Sequence, residues 1–429
     1  MDDRPEVASL NRGLGGLARL STAGKATRQE TRRNNLRLAL QLVYRQAPTS
    51  RAEIARATGL TPATASALVD ELIARRLVQE LGPGETSGVG GKPPILLGPA
   101  IEGRNVVSVD LSSHPFRGAV LDLSGRIVDR RSAPAGDLQG SDAVTATRDL
   151  IVALKEAATA PVIGVGVGTP GIVDPTSGSV VSSNLGWDGV ALAAQLVAPD
   201  DLPVHVFNDA QAAAFAEYAI ATATEAASSL VVVRIGEGIG AGIILDGHLY
   251  RGDMAAAGEI GHLRVVDGGD LCSCGNTGCL ETVAALPALL RRINQLASVA
   301  AEAVAGAAAG AEASARAGAA AGAEAGVAGA FAAAAARVEA APVLQHAAGH
   351  VGRVLAHVVA VLAVRHLVVS GPIVAAGPAF LDEVDAELRS RVFPGEVPDI
   401  RLGYSSLGDD VILLGSAGLV MSEEMGVVW

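Results

Sequence analysis

The sequence predicts an α/β protein with a small helical domain at its N-terminal end. Three observations support this fold class. The 429 residues exceed the size of one typical domain. Apolar residues before Leu81 recur at helical spacing, and from Asn105 onward short β-rich runs alternate with helical segments. We therefore expect a helical domain over residues 34–97 and an α/β domain over residues 103–429.

Charge is divided unevenly along the chain. The net charge is −12, yet residues 1–100 contain 14 Lys and Arg against 9 Asp and Glu, which leaves 19 against 36 in the remainder. This asymmetry suggests an N-terminal part that meets a polyanion and a C-terminal part that does not. Chance variation of surface charge is the alternative.

The first 33 residues are rich in Gly, Arg, Ser and Thr without apolar periodicity, which predicts a flexible basic tail over 1–33. They lack the apolar core of a secretory signal. The apolar run 358–364 is bounded by His357 and Arg365 and is too short to span a membrane. For that reason we expect no membrane partner. The low, odd number of cysteines and their metal-like clustering predict a reducing compartment, the cytoplasm.

Residues 34–81 have the signals of three short helices. Leu36, Leu40 and Val43 share one helical face, and Ser50–Glu53 reads as a capping box. Gly59 then breaks the second helix, and Thr61–Pro62 supplies an N-cap followed by proline at the first helical position. Two helices that flank a tight turn are a candidate DNA-binding unit, with a plain three-helix interaction module as the alternative.

The third helix would present its N-terminal end to a DNA groove, because Ala65, Leu68 and Leu72 are spaced to face the core. The Gly- and Pro-rich stretch 82–94 predicts the tip of a wing. Arg, Asn and Gln, the usual base-reading side chains, are missing from the front of this helix, so discrimination would depend on the wing, dimer spacing or DNA shape. The residues expected to contact DNA are Thr61, Thr64, Ser66 and Lys92.

The α/β domain opens with several β-rich runs and contains one low-complexity tract. Residues 297–341 are dominated by alanine and glycine, and each glycine costs about 1 kcal/mol relative to alanine in a helix. We expect this tract to be a mobile, partly helical insertion, with a rigid functional arm as the alternative. The predicted strands are Val106–Leu111, Ala119–Leu123, Arg126–Arg131 and Val162–Gly168.

All three cysteines of the chain lie within eight residues, at Cys272, Cys274 and Cys279, and His262 precedes the first by ten positions. Three thiolates and one imidazole form the tetrahedral donor set that zinc prefers. With four protein ligands there is no open position for a catalytic water, so the expected zinc ion is structural. Three buried thiols beside an unrelated histidine are the alternative reading.

The same segment resembles a known family. The letters EIGH at 259–262 and CSCGNTGCLE at 272–281 resemble the signature of the ROK family, which groups sugar-responsive repressors with sugar kinases. The resemblance extends over most of the chain. It implies a C-terminal domain with two lobes of the actin-like ATPase type, which are ribonuclease H-like, and a sugar cleft between them. It also implies that the N-terminal domain is a winged helix-turn-helix that binds DNA.

Sugar recognition requires carboxylates and amides that accept and donate hydrogen bonds to adjacent hydroxyls. Through the resemblance, the role of sugar ligand falls on six residues. His262 would bind zinc through one ring nitrogen and keep the other for the ligand. Asp209 matches the general base of the family's kinases. The six residues are Asn184, Asn208, Asp209, Glu259, His262 and Glu281.

The phosphate-binding loops depart from the kinase pattern. The first kinase loop reads Asp-x-Gly-Gly-Thr, whereas this chain has DLSSH at 110–114. In the second loop Glu237 stands where kinases carry threonine, and an anion there would repel a triphosphate. Pro372 alters the glycine pair expected near adenosine. We therefore expect no kinase activity.

The sequence thus predicts a sugar-responsive transcriptional regulator, a repressor, with operator DNA and a sugar or sugar-phosphate effector as partners and a homodimer or dimer of dimers as the assembly. Two alternatives stay open. One is an ATP-dependent sugar kinase of the glucokinase type with an appended DNA-binding module. The other is a zinc-stabilised interaction scaffold that binds neither sugar nor ATP.

Overall fold

The computed structural model divides the chain into two compact units, Met1–Gly98 and Pro99–Trp429. The part of the first unit that the structure describes contains three helices and three strands. The structure describes residues 27–85, 93–134, 138–196, 202–224, 227–307, 326–395 and 399–427. The elements of the first unit are α1 (Arg28–Gln46), β1 (Thr49–Ser50), α2 (Arg51–Thr58), α3 (Pro62–Ala74), β2 (Val78–Pro83) and β3 (Ile95–Pro99).

Helix α1 begins earlier than the sequence analysis predicted. Thr27 is its N-cap, and a complete capping box with Glu30 satisfies the free amides of the first turn. Residues 28–33 are therefore helical and do not belong to a tail, while the predicted tail before 27 lies outside the described residues. The capping box is the sequence signal that would have predicted this earlier start. It was overlooked because the surrounding residues have no apolar residues at helical spacing.

The predicted turn between α2 and α3 is confirmed. Gly59 ends α2 in the left-handed conformation, with a φ of 69°, and Thr61 caps α3 by accepting the amide of Thr64. Leu68 and Leu72 are buried against α1 and α2. Strand β3 lies between β1 and β2, so β2 and β3 form the two sides of the predicted wing. Its tip, residues 86–92, lies outside the described part of the chain.

Within its described ranges, the second unit has two five-stranded sheets with the same pairing pattern. Each sheet joins three parallel strands to two antiparallel ones, in the orders β11-β7-β4-β5-β6 and β14-β13-β12-β15-β16. A small antiparallel sheet, β10-β9-β8, follows β7. The strands are β4 (Asn105–Asp110), β5 (Arg117–Asp122), β6 (Ile127–Ser132), β7 (Val162–Thr169), β8 (Ile172–Val173), β9 (Val180–Ser182), β10 (Trp187–Val190), β11 (Val204–Asn208), β12 (Leu230–Ile235), β13 (Ile239–Leu245), β14 (His248–Leu249), β15 (His366–Ser370) and β16 (Arg401–Tyr404).

Each large sheet is covered by helices. The helices are α4 (Gly140–Ala157), α5 (Leu192–Leu196), α6 (Asp209–Thr224), α7 (Leu280–Ala284), α8 (Leu286–Ala307), α9 (Gly326–Ala335), α10 (Ala340–Leu362), α11 (Pro378–Arg389) and α12 (Val411–Met425).

No single described helix is long and apolar enough to cross a membrane. The bent pair Val327–Ala335 and Ala340–Leu362, which meet at 113°, passes the test of length and composition when the two are taken together.

Helices α6 and α12 lie between the two sheets. Helix α12 contacts β4 and β7, α6 contacts β12 and β13, and the two helices pack on each other. Gly415 permits this approach, because a Cβ there would lie 1.8 Å from the carbonyl oxygen of Ala212. Helices α4 and α5 cover the outer face of the first sheet, and α7 to α11 cover that of the second. The result is two lobes of similar construction around a central helix pair, as the resemblance implied.

The Ala/Gly tract 297–341 is more ordered at its ends than the sequence suggested. Helix α8 extends into the tract as far as Ala307, and α9 and the start of α10 lie inside it. Phe331 on α9 is completely buried in the core of the second lobe. Val327 on the same helix packs against this core as well, so apolar side chains hold the distal end of the tract, which the prediction of a mobile insertion did not anticipate. Residues 308–325 lie outside the described part.

Candidate functional site

A cleft of about 460 Å³ opens at the carboxyl ends of the central parallel strands in the second unit. Open α/β sheets place their ligands at this edge, because loops and helix N-termini meet there. Side chains from both lobes line the cleft. All six residues that the resemblance assigned to sugar line it: Asn184, Asn208, Asp209, Glu259, His262 and Glu281.

Two asparagines lie on the first-lobe side of the cleft, and they differ in how many of their amide hydrogen bonds are already used within the protein. Asn184 is exposed in the loop between β9 and β10 and lines the cleft, and its Oδ1 accepts the hydroxyl of Ser183 at 3.5 Å. Asn208, at the end of β11, is 9% exposed. Its Nδ2 donates to the carbonyl of Gly171 at 2.9 Å, and its Oδ1 accepts from the amide of Gln211 at 3.0 Å. Asn208 therefore fixes the loop and the start of α6, with one N–H left for a ligand.

Asp209 is the first residue of α6, where its Oδ1 accepts the amide of Ala210 at 2.9 Å. Its Oδ2 lies 3.2 Å from Nε of Arg234, at the end of β12. Burial raises the pKa of Asp209 above its ordinary value, and Arg234 offsets part of that rise. The two lobes thus meet through a shielded ion pair at the floor of the cleft.

The second-lobe side is built by the segment between β14 and α7. Glu281, in the first turn of α7, accepts the amide of Ile239 at 2.7 Å through Oε1. Its Oε2 lies 3.7 Å from Nδ1 of His262, whose Nε2 lies 3.8 Å from Oε2 of Glu259. Burial also raises the pKa of Glu259, an effect that His262 reduces. Two carboxylates and an imidazole therefore line this wall, each positioned by a neighbouring element.

The four predicted metal ligands converge. The donor atoms of His262, Cys272, Cys274 and Cys279 all lie within 4.8 Å of one another. Nδ1 of His262 is 3.6 Å from Sγ of Cys272, and Sγ of Cys274 is 3.7 Å from Sγ of Cys279. A tetrahedral zinc site with Zn–S bonds of about 2.3 Å has S···S edges of about 3.8 Å and shorter S···N edges, so these separations fit the ion.

The chemistry of the thiols also fits a cation. At 3.7 Å the Cys274 and Cys279 sulfurs are too far apart for a disulfide, and all three cysteines are free. Burial, followed by the neighbouring thiols, raises the pKa of Cys279 to about 12. Thiolates crowded this closely are stable together only around a positive charge, which a divalent metal supplies when it displaces their protons. We call these four residues the metal cluster.

The loops in the positions of kinase phosphate loops are held by internal contacts. Asp110 is fully buried and accepts both the amide and the hydroxyl of Ser112, and it pairs with Arg117 at 3.1 Å. Nε2 of His114 lies 3.6 Å from Oε1 of Glu237, so the first loop touches the second. Side chains from this chain thus span the space between the two loops.

The predicted DNA contacts lie at the start of α3, apart from Lys92, which lies outside the described residues. Thr61 and Thr64 are exposed, and their hydroxyl oxygens are 2.9 Å apart. Ser66 is half-buried and therefore less available than predicted. The N-terminal turn of α3 therefore offers two small hydroxyls to a partner.

Arg234 is a residue of the cleft that was not predicted from the sequence. The residue interrupts the apolar strand LVVVRI, and its side chain is only 10% exposed. A charged residue within a buried strand requires a partner, and that requirement was the available signal. Its partners, Ser112 and Asp209, are distant in sequence and could not be named without the fold.

Comparison with known proteins follows the same division of the chain. The ROK family model matches residues 106–423, and a MarR family model matches residues 37–85. The xylose repressor of Caldicellulosiruptor bescii is 29% identical over 396 residues, covering 91% of this chain and 96% of that protein.

Solved structures show similar folds. A ROK family transcriptional regulator, a homologue of the Escherichia coli Mlc protein, aligns with a TM-score of 0.73 at 24% identity, covering 92% of this chain and 96% of the other. A ROK family glucokinase from Streptomyces griseus, in complex with glucose and AMPPNP, aligns with a TM-score of 0.60 at 28% identity, covering 73% and 98%. The two-lobed second unit has the actin-like fold of these sugar kinases, and the chain belongs to the ROK family.

Proposed function

We propose that this chain is a sugar-responsive transcriptional repressor. The observation that carries the proposal is the presence, in one chain, of a winged helix-turn-helix unit and a ROK unit whose cleft is lined by carboxylates and amides. The xylose repressor from C. bescii extends over the same two parts. We assign DNA binding to residues 34–97 and ligand binding to residues 103–429.

Operator DNA would be bound by the N-terminal end of α3. Thr61 and Thr64 reach the groove or its phosphates with small hydroxyls, Ser66 contributes less, and Lys92 in the wing meets phosphate. One such unit reads a short half-site, so two copies in a homodimer, or four in a dimer of dimers, would read a full operator. The cytoplasm is where such a protein meets its operator.

The ligand would be a sugar held between the two lobes. Asn184 and Asp209 approach it from one lobe, and Glu259, His262 and Glu281 approach it from the other. The metal cluster would hold zinc in a purely structural role, because all four coordination positions come from protein. With Nδ1 of His262 turned to the cluster, Nε2 is left on the side of Glu259 and the cleft.

Sugar binding would reduce operator affinity by closing the cleft and so changing the spacing of the two DNA-binding units in a dimer. Coupling between two sites of this kind is typically about 1 to 3 kcal/mol, a change of roughly 5- to 150-fold in affinity. The sugar must therefore bind one arrangement of the dimer more tightly than the other.

A sugar kinase is the second candidate, and Asp209 favours it, because a buried carboxylate at the start of α6 matches a kinase general base. The contacts around the loops weigh against it. Arg234 pairs with Asp209, and His114 and Glu237 face each other where a nucleotide's phosphates need open backbone amides. A coupled ATP-consumption assay with hexoses decides between the two, and turnover that Asp209→Asn abolishes would establish the kinase.

The regulator is tested by fluorescence anisotropy with DNA from upstream of the chain's own coding region, titrated with a panel of neutral sugars and sugar phosphates. One ligand should weaken DNA binding at least about fivefold. Glu259→Gln should remove that response and leave ligand-free DNA binding unchanged, because Glu259 lies in the cleft. DNA affinity that no ligand alters would contradict the proposal.

A further inference from the structure

Arg234 occupies the floor of the cleft on the side of the two phosphate-like loops. The residue is 8% exposed, and its Nη2 donates to the hydroxyl of Ser112 at 2.6 Å. Its Nε is buried, forms no hydrogen bond with any described residue, and lies at ion-pair distance, 3.2 Å, from Oδ2 of Asp209. One guanidinium therefore connects the first loop, the start of α6 and the end of β12.

Two glycines provide the space for this guanidinium. A Cβ at Gly236 would lie 2.9 Å from Nη1 of Arg234, and a Cβ at Gly371 would lie 3.0 Å from it. Both glycines belong to loops that resemble nucleotide-binding loops, in which missing side chains leave room for phosphates. Here a side chain of the protein fills part of that room.

The charges around the cleft disfavour a second anion. The described lining residues include four carboxylates and one guanidinium, which gives a formal charge of −3 with both histidines neutral. The guanidinium is already opposite Asp209, so it offers little uncompensated charge. A phosphate dianion placed here would meet Glu237 and Glu259, and the described residues of the cleft lining offer no cation besides Arg234 to balance it. The lining carboxylates are Asp209, Glu237, Glu259 and Glu281.

We infer that the cleft selects an unphosphorylated sugar and that Arg234 is the residue that sets this selectivity. The inference rests on the proposed function, namely that the cleft binds a sugar. By the resemblance to the family's kinases, the sugar hydroxyl that faces Asp209 is the one that would carry a phosphoryl group. The guanidinium of Arg234 lies beside Asp209, Ser112 and the Cβ position of Gly236, and so occupies space next to that hydroxyl. Arg234 fills this position, and its pairing with Asp209 keeps it from acting as a phosphate receptor.

The test is isothermal titration of the full-length, zinc-loaded protein with matched pairs: glucose, mannose, galactose and N-acetylglucosamine, each against its 6-phosphate. At least one neutral sugar should bind, and its phosphate should bind at least about tenfold more weakly. A 6-phosphate that binds as well as its parent sugar, or better, overturns the inference and leaves the proposed function standing. If no sugar or phosphate of the panel binds, the inference fails, and the anisotropy titration with operator DNA decides separately whether the proposed function stands.

Variants locate the selectivity. Asp209→Asn frees the guanidinium and removes one carboxylate, so the ratio of the two dissociation constants should move toward the phosphate by at least about tenfold. Asp209→Asn combined with Arg234→Ala should lose that gain. Arg130→Ala is the matched control, since Arg130 pairs with Asp410 outside the cleft lining and should leave the ratio unchanged. An unchanged ratio in Asp209→Asn would show that Arg234 does not set the selectivity.

Discussion

Gly278 offers a direct test of whether the backbone of the metal cluster is fixed by sterics. It lies directly before Cys279 with a φ of 71°, and a Cβ there would lie 1.8 Å from the carbonyl oxygen of Val266. Real Cβ contacts are essentially never shorter than 3.0 Å, so Gly278→Ala must separate these groups by at least about 1.2 Å. Metal ligands tolerate displacements of only about 0.2 Å, so the substitution should disrupt the tetrahedral arrangement.

The cost has two parts. An alanine in the left-handed region carries roughly 1–2 kcal/mol of strain, and the displacement of Val266 adds to it. Gly268→Ala separates the two parts, because Gly268 has a φ of 63° in the same segment and nothing within 4 Å of its Cβ position. Both variants carry the conformational strain, but only Gly278→Ala has the clash.

Zinc affinity measured by competition with a chromophoric chelator is the assay. Gly278→Ala should lower zinc affinity by more than about tenfold, equivalent to 1.4 kcal/mol, while Gly268→Ala should stay within about threefold of the wild type. If both variants bind zinc with equal affinity, the clash at Gly278 has no influence on the metal ligands, and sterics do not fix the backbone of the metal cluster.

Two further predictions concern the first unit and the central helices. Thr61→Ala removes the side-chain cap of α3 and should lower the free energy of unfolding by about 1 kcal/mol. The same variant should bind any DNA duplex more weakly, as measured by fluorescence anisotropy. Unaltered DNA binding would argue against α3 as the helix that contacts DNA. Burial raises the pKa of Glu217, an effect that the hydrogen bond from Ser405 reduces. The wild-type protein should therefore lose stability as pH rises through that raised pKa, whereas Glu217→Gln should not. The measurement is the melting temperature of both proteins between pH 4 and pH 8. Parallel pH profiles for the two proteins would contradict this prediction.

Local signals in the sequence were sufficient where a short segment determines its own structure. Gly59 and Thr61 have cap chemistry that depends only on neighbouring residues, and the structure confirms both. The convergence of Cys272, Cys274 and Cys279 with His262 was likewise predictable, because ligands so close in sequence can meet around one ion. The lobes themselves came from the resemblance, since periodicity does not specify strand order.

The contacts that decide ligand chemistry could not be predicted, because they join distant segments. Arg234 meets Ser112 across 122 positions, and nothing in either local sequence indicates the pair. Asn208 was predicted as a sugar ligand, yet the fold uses most of its amide to hold Gly171 and Gln211. Phe331 lies in the tract that was predicted to be mobile, yet in the fold it is buried in the core of the second lobe.

We propose that the metal cluster shapes one wall of the sugar cleft through His262 and Glu281. The most direct measurement is the dissociation constant of the best-binding sugar, determined by calorimetry on one preparation before chelation, after chelation and after zinc is restored. Sugar affinity should fall by more than about tenfold without metal and return when zinc is restored. Equal sugar affinity in the zinc-loaded and metal-free protein would contradict it.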